Sequence, residues 1–148
     1  MNTNRLLLIA KVLLTIGALE FFGPIVRDTN SSHLLNPNWA GHARFHLMWC
    51  LVLWFCMGLY CLYLIWVRPF AIANLNQALS IQAFNIVAFW GAVALGPLYT
   101  AEVFDVEIHV GFMSVNENII AFIAFSLLWL GGFLAVKKLA SRSAELEA

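Results

Sequence analysis

Long apolar runs separated by short polar stretches make up most of the chain. Four of these runs reach the length of about 20 mostly apolar residues that a bilayer-spanning helix needs. They cover approximately residues 6–26, 44–67, 75–98 and 118–136. Arg68-Pro69 follows the second run, and proline disfavours helical geometry in the residue before it. The pattern predicts four transmembrane helices, of which the second and third form a tight hairpin.

Turn and capping residues predict where these helices begin, end or break. Gly23-Pro24 and Gly96-Pro97 lie near the ends of the first and third runs, where such a dipeptide breaks or kinks a helix. Asn36-Pro37 is typical of an N-cap followed by proline at the first helical position, so we expect the second helix to begin at Pro37. Ser114 and Glu117 have the spacing of a capping box before the fourth run.

The composition decides which solvent surrounds these helices. The 148 residues are 62% hydrophobic and 11% charged, against about 45–50% and about 25% in soluble domains. A soluble fold of this size cannot bury so much apolar surface. We therefore predict one all-α integral membrane domain over residues 1–148, a four-helix transmembrane bundle, in the inner membrane if the cell is bacterial. The first run, interrupted by Lys11 and Glu20, is expected to be a retained helix. A net charge of zero gives no indication of a nucleic-acid partner.

Lysine and arginine predict the orientation, because they are enriched in cytoplasmic loops. Two arginines, Arg27 and Arg44, belong to the loop regions after the first and third helices. The opposite ends of the helices carry more positive charge, and both termini are therefore predicted to be cytoplasmic. The positively charged residues on this side are Arg5, Lys11, Arg68, Lys137, Lys138 and Arg142.

Most of the other ionisable groups lie on the predicted non-cytoplasmic face. All four histidines and six of the eight acidic residues are in or beside loops 1 and 3. This distribution predicts that any polar site lies at that face. The residues are His33, His42, His46, His109, Glu20, Asp28, Glu102, Asp105, Glu107 and Glu117.

His42 and His46 are the first candidates for a site. Residues four apart share one helical face, which is a spacing that offers two nitrogens to one metal ion. Zinc would need further ligands, for which Glu20, Glu107, His109 and Glu117 are available. Haem would need an axial ligand from elsewhere, such as His109. Alternatively, the two histidines belong to a polar network or hydrogen-bond to loop carboxylates, lipid and water. No cofactor is predicted.

Glu20 and Arg44 are the other candidates. An ionisable residue inside a span indicates a functional site by default, and we expect Arg44 or His46 to be the partner of Glu20. A position wet enough to need no partner is the alternative. Arg44 is expected to pair with a carboxylate such as Asp28, to reach the headgroups, or to bind an anionic or carbonyl group.

Further polar and aromatic residues have structural interpretations. Amides along the third run are expected to hydrogen-bond between helices, and the tryptophans are expected to form belts at the two membrane interfaces. The amides are Asn74, Asn76, Gln77, Gln82 and Asn85, and the tryptophans are Trp39, Trp49, Trp66, Trp90 and Trp129.

The block from Asn36 to His46 carries a resemblance. Its pattern N-x-x-W-x-x-H-A-R-F-H resembles that of a family of small, uncharacterised four-helix membrane proteins, which implies the same fold and no particular activity. In plan alone the chain is similar to the emopamil-binding and sigma-2-receptor group, which binds sterol-like amines, and to DoxX-like proteins. No site residues carry over from either group.

Three functions follow from these observations and stay open. The first is a membrane protein with a polar pocket for a small hydrophobic ligand, in which Glu20, Arg44 and the histidines contact the ligand. The second is a small membrane enzyme that moves protons on an apolar substrate, since histidine titrates near neutral pH. The third is a metal- or haem-binding subunit. A homo-oligomer and a complex with another subunit are both compatible with the sequence. The candidate residues for proton transfer are Glu20, His42, His46, Glu107 and His109.

Overall fold

The structure, a computed structural model, describes residues 2–101, 103 and 116–147, with side chains described as far as Ser143. Four helices in this part of the chain are long and apolar enough to cross a membrane. The number of spans predicted from the sequence is confirmed. We refer to them as span 1, Thr3–Asp28, span 2, Gly41–Val67, span 3, Ile72–Tyr99, and span 4, Glu117–Ser143.

Three of the spans contain irregular turns. Span 1 consists of helix α1, a 3₁₀ turn and the short helix α2. Span 2 is helix α3 ending in a π-turn, and span 3 is helix α4 ending in a second 3₁₀ turn. Helix α5 forms span 4 and extends beyond it. The elements are α1 (Thr3–Gly17), 3₁₀ (Ala18–Phe21), α2 (Gly23–Asp28), α3 (Gly41–Leu62), π (Tyr63–Val67), α4 (Ile72–Leu95), 3₁₀ (Gly96–Tyr99) and α5 (Glu117–Glu147).

The predicted breaks coincide with the glycine–proline pairs. Pro24 lies in the first turn of α2, a position where its missing N–H costs nothing. Pro97 lies in the first turn of the 3₁₀ segment that ends span 3. Span 2 ends at Val67, and Arg68 before Pro69 has extended backbone angles, as a residue preceding proline prefers.

The core forms around span 1. Helix α1 packs most extensively against α5, and the 3₁₀ turn of span 1 packs against α3. Leu14 and Phe21 are fully buried in the core. Large apolar side chains on the outside of the bundle remain exposed, for example Val87, which is 68% exposed. Lipid is the solvent that suits such a surface.

Two predicted helix starts are wrong. Helix α3 begins at Gly41, not Pro37. The side chain of Asn36 instead accepts a hydrogen bond from the N–H of Asn38 at 2.9 Å, a local turn that competes with helix formation. Helix α5 begins at Glu117, and Asn116 caps it by accepting from the N–H groups of residues 118 and 119. Glu117 is therefore the first helical residue and not the third of a capping box, and Ser114 lies outside the described residues.

Polar side chains link the spans to one another. The amide of Gln82 donates to the carbonyl of Leu14 at 2.7 Å, and that of Gln77 donates to the Tyr60 hydroxyl at 3.1 Å. The expected interhelical role is confirmed for these two amides. Three tryptophans also bond between spans, a role that the aromatic-belt interpretation missed. Their indole N–H groups donate from Trp66 to Thr15, from Trp90 to Ser126 and from Trp129 to the Leu79 carbonyl.

Candidate functional site

An apolar cleft lies between α2, the residues that follow it and α3. It has a volume of about 190 Å³ and seven lining residues. Four of them belong to α3, with spacings of three, one and three residues, which place them on one helical face. That apolar spacing was the available sequence signal, but its partner surface is created by the break in span 1. The lining residues are Ile25, Thr29, Leu34, Met48, Leu51, Val52 and Phe55.

A compact turn positions the loop side of this cleft. The side-chain oxygen of Asn30 accepts hydrogen bonds from the N–H groups of Ser32 and His33 at 2.9 and 3.0 Å. Its amide donates to the carbonyl of Arg27 at 2.6 Å. His33 also contacts the Ser32 hydroxyl and the ring of Trp39. The turn holds Leu34 against α3, and His33 has a structural role in it.

Arg44 lies on the face of α3 that lines the cleft. Residues 44, 48, 51 and 55 follow the four–three–four spacing of one helical face, so Arg44 is one turn before Met48. The side chain is partly buried, and its Nε is buried without a hydrogen-bond partner. Nothing in the described part of the chain forms an ion pair with Arg44. Of the three roles predicted for Arg44, the structure therefore lacks the pairing with Glu20.

His42 and His46 interact with each other. Their Nε2 atoms are 2.9 Å apart, and the rings meet edge to face with centroids 4.4 Å apart. Such a bond needs one ring nitrogen that donates and one that accepts. Both side chains are exposed, next to Phe45 and Trp49, which are each 61% exposed. This pair therefore faces outwards from the bundle.

Glu20 lies inside the bundle. Its side chain is only 2% exposed, and neither carboxyl oxygen has a hydrogen-bond partner of normal geometry. The expected pairing of Glu20 with Arg44 or His46 is wrong. Its neighbours are polar groups of two other spans: the Asn85 amide is within hydrogen-bonding reach, and Cys61 is close enough for an electrostatic interaction.

Gln82 is the second buried polar residue in this interior. It is 1% exposed, and although its amide nitrogen bonds to Leu14, its Oε1 has no partner. A Cβ on Gly17 would lie 2.9 Å from that oxygen, so Gln82 fits because residue 17 has no side chain. We call Glu20, Cys61, Gln82 and Asn85 the interior polar cluster.

The predicted polar site is thus divided between two places. His42 and His46 are on the outer surface of α3, while Glu20 is buried among spans 1, 2 and 3. Among the described residues, no group of three histidine, cysteine or acidic side chains is placed to hold a metal ion. Glu107 and His109, as well as Glu102 and Asp105, lie outside the described residues, so their predicted participation stays a prediction.

An ion pair that the sequence analysis did not anticipate joins the two non-cytoplasmic loop regions. Arg27, in the last turn of α2, donates to the carboxylate of Glu117 at the start of α5. Both side chains are about half exposed, at 46% and 50%. The arginine–carboxylate link expected of Arg44 is therefore made by Arg27.

No protein-family model, curated protein or solved structure matches the chain. The resemblance of the Asn36–His46 block to a family of small membrane proteins stays a prediction.

Proposed function

We propose that the protein is a multi-pass membrane protein that binds an anionic amphiphile, with the apolar part in the cleft and the acidic head at Arg44. With both termini cytoplasmic, as the positive charges indicate, the cleft opens near the non-cytoplasmic face. The observation that carries the proposal is the position of an unpaired arginine one helical turn from an apolar cleft, on the same face of α3.

The size of the cleft supports an apolar occupant. A buried apolar cavity of about 150 Å³ accommodates benzene, so about 190 Å³ holds one ring or a short branched segment of a chain. Sites for complete drug-sized ligands have volumes of about 300–1,000 Å³. The remainder of a longer ligand would lie along the exposed apolar surface of span 2, where lipid tails contact the protein.

Arg44 supports an acidic or carbonyl-bearing head. A guanidinium presents several N–H donors in a planar fork that matches a carboxylate or phosphate. A buried donor without a partner is costly, so an acceptor placed there by a ligand is favourable. The interaction would orient the ligand with its head towards the membrane surface and its tail into the bilayer.

The test compares two photoreactive probes that differ only in the head group. A diazirine-bearing long-chain fatty acid and the matching fatty alcohol are cross-linked to the purified protein in lipid nanodiscs. We expect the acid to label residues of α2 and α3 that line the cleft. Arg44→Gln should weaken binding of the acid about tenfold or more, since a hydrogen bond to a charged group contributes about 1.5–3 kcal/mol and 1.4 kcal/mol is a factor of ten. The alcohol should be little affected.

Matched variants separate binding from general effects on the membrane surface. Val52→Trp fills the cleft and should reduce labelling by both probes, whereas Val87→Trp changes an exposed valine of span 3. Arg68→Gln is the control for removing a positive charge. Equal labelling of the Val52→Trp and Val87→Trp proteins, or labelling spread evenly over all four spans, would contradict the proposal.

A further inference from the structure

We propose that the interior polar cluster binds a small monovalent cation, with the carboxylate of Glu20 and the side-chain oxygens of Gln82 and Asn85 as ligands. The proposal concerns the centre of the bundle and does not depend on a ligand in the apolar cleft. A different set of residues carries it, and the two can fail separately.

The first argument is the set of oxygen atoms that have no donor. Both carboxyl oxygens of Glu20 and Oε1 of Gln82 are buried without a hydrogen-bond partner. A buried polar atom without a partner is costly, and three acceptors in one interior need a ligand with positive charge or several donors.

The local backbone brings these oxygens to one side of span 1. Oε1 of Gln82 lies against Gly17, which immediately precedes the 3₁₀ turn that contains Glu20. Residues three apart are eclipsed in a 3₁₀ helix, so Glu20 projects from the same side as Gly17. Asn85, one helical turn after Gln82 on α4, is within hydrogen-bonding reach of the carboxyl group. The three ligand residues therefore face a common space.

The electrostatics of this place favour a cation. Helix α1 ends at Gly17, and the C-terminal end of a helix carries a partial negative charge. Glu20 follows three residues later, and no lysine or arginine within the described ranges pairs with it. Discontinuous transmembrane helices, with carbonyls exposed at the break, are a recurrent arrangement for binding coupling ions near the bilayer midplane.

The chemistry of the ligands selects the class of cation. Carboxylate and carbonyl oxygens suit hard cations and not the soft transition metals, which prefer sulfur and imidazole. A single carboxylate balances a single positive charge, and a low-dielectric interior penalises any excess charge. A monovalent ion such as Na⁺ therefore fits better than Ca²⁺ or Zn²⁺.

The experiment measures binding of Na⁺ to the full chain in lipid nanodiscs. A scintillation proximity assay with radioactive sodium is carried out in choline chloride, which keeps the ionic strength constant. We expect saturable binding to the wild type that excess unlabelled NaCl displaces. Glu20→Gln, which removes the charge at nearly constant volume, should abolish the saturable signal, and Gln82→Leu should weaken it. Glu117→Gln, which removes an exposed carboxylate, should bind as the wild type does.

A second measurement on the wild type covers the case in which Glu20→Gln does not fold. An infrared difference spectrum between choline and sodium buffers should show a shift of a carboxylate stretching band on adding NaCl. A protonated carboxylic acid band that sodium leaves unchanged, with no saturable binding to the folded wild type, would overturn the proposal. Undiminished binding to a correctly folded Glu20→Gln protein would overturn it as well.

Discussion

Gly58 of α3 lies directly against the aromatic ring of Phe22, the residue that joins the 3₁₀ turn of span 1 to α2. A Cβ at position 58 would be 2.6 Å from Cζ of this ring and 3.1 Å from Cβ of Phe21. The ring also packs edge to face on Phe55, with centroids 5.8 Å apart. The absence of a side chain at one position of span 2 thus sets how closely the broken part of span 1 approaches it.

The first prediction concerns this contact. Gly58→Ala should lower the free energy of unfolding by about 1–3 kcal/mol, because added volume in a packed interior displaces its neighbours. The measurement is reversible denaturant unfolding in detergent micelles. Gly91→Ala is the matched control, since a Cβ there has no heavy atom within 4 Å. It should be neutral or stabilising by up to about 1 kcal/mol, as alanine favours helix over glycine.

Combining the change with Phe22→Leu provides an independent check on the cause. A smaller side chain at position 22 leaves room for the methyl group, so the double variant should lose less stability than the sum of the two single variants. Residues in direct contact show such coupling, of about 0.5–3 kcal/mol. Strict additivity would mean that Gly58 acts through helix propensity instead of through Phe22.

The second prediction concerns the indole of Trp129, which donates to the carbonyl of Leu79 at 2.8 Å. Trp129→Phe should lower the free energy of unfolding by about 1–2 kcal/mol. The loss combines an interhelical hydrogen bond of about 0.6 kcal/mol on average with buried ring area. Trp49→Phe, at a tryptophan that is mostly exposed, should change it by a few tenths of a kcal/mol. Similar losses from both would argue against the interhelical bond.

The third prediction concerns Arg27 and Glu117. A double-mutant cycle with Arg27→Gln and Glu117→Gln should give a coupling energy of about 0.2–1 kcal/mol, the range of exposed ion pairs. The coupling should decrease with added salt, since exposed charges are screened. The exchanged pair, Arg27→Glu with Glu117→Arg, should recover part of the stability that each reversal removes alone. A coupling that salt leaves unchanged would mean that the pair is more buried than its exposure indicates.

The fourth prediction concerns orientation. In a protein whose cysteines are replaced by alanine, Asn38→Cys in loop 1 should react with a membrane-impermeant maleimide added to intact cells. Ser141→Cys, near the end of α5, should react only after the membrane is opened. A reporter fused to the C-terminus should likewise be cytoplasmic. The reverse labelling pattern would place the cleft on the cytoplasmic side.

The spans were predictable because the signal that defines them is long and redundant. A change of one or two residues, such as helix α3 beginning at Gly41, leaves a run of 27 residues still long enough to cross the bilayer. The signals from glycine–proline pairs were equally reliable, because proline constrains its own backbone and that of the preceding residue wherever it occurs.

The arrangement of the polar residues was not predictable in the same way. Glu20 and Arg44 were expected to pair because both lie near one membrane face, but depth says nothing about the direction in which a side chain points. The 3₁₀ turn over Ala18–Phe21 changes the helical phase of span 1 and directs Glu20 towards Asn85. Similarly, the local turn at Asn36 was indistinguishable in sequence from an N-cap, because both use the same side-chain acceptor.

The π-turn Tyr63–Val67 at the end of span 2 makes the protein sensitive to chain length at this point. A π-turn contains one residue more than an α-helical turn, and each residue of an α-helix corresponds to about 100° of rotation. Removing any one residue here would allow a regular helix to form while rotating everything beyond it by about that angle. Trp66 would lose its bond to Thr15 and its contact with Lys11, and the hairpin leading to span 3 would start in the wrong direction. Substitutions in this segment should therefore be tolerated far better than single-residue deletions.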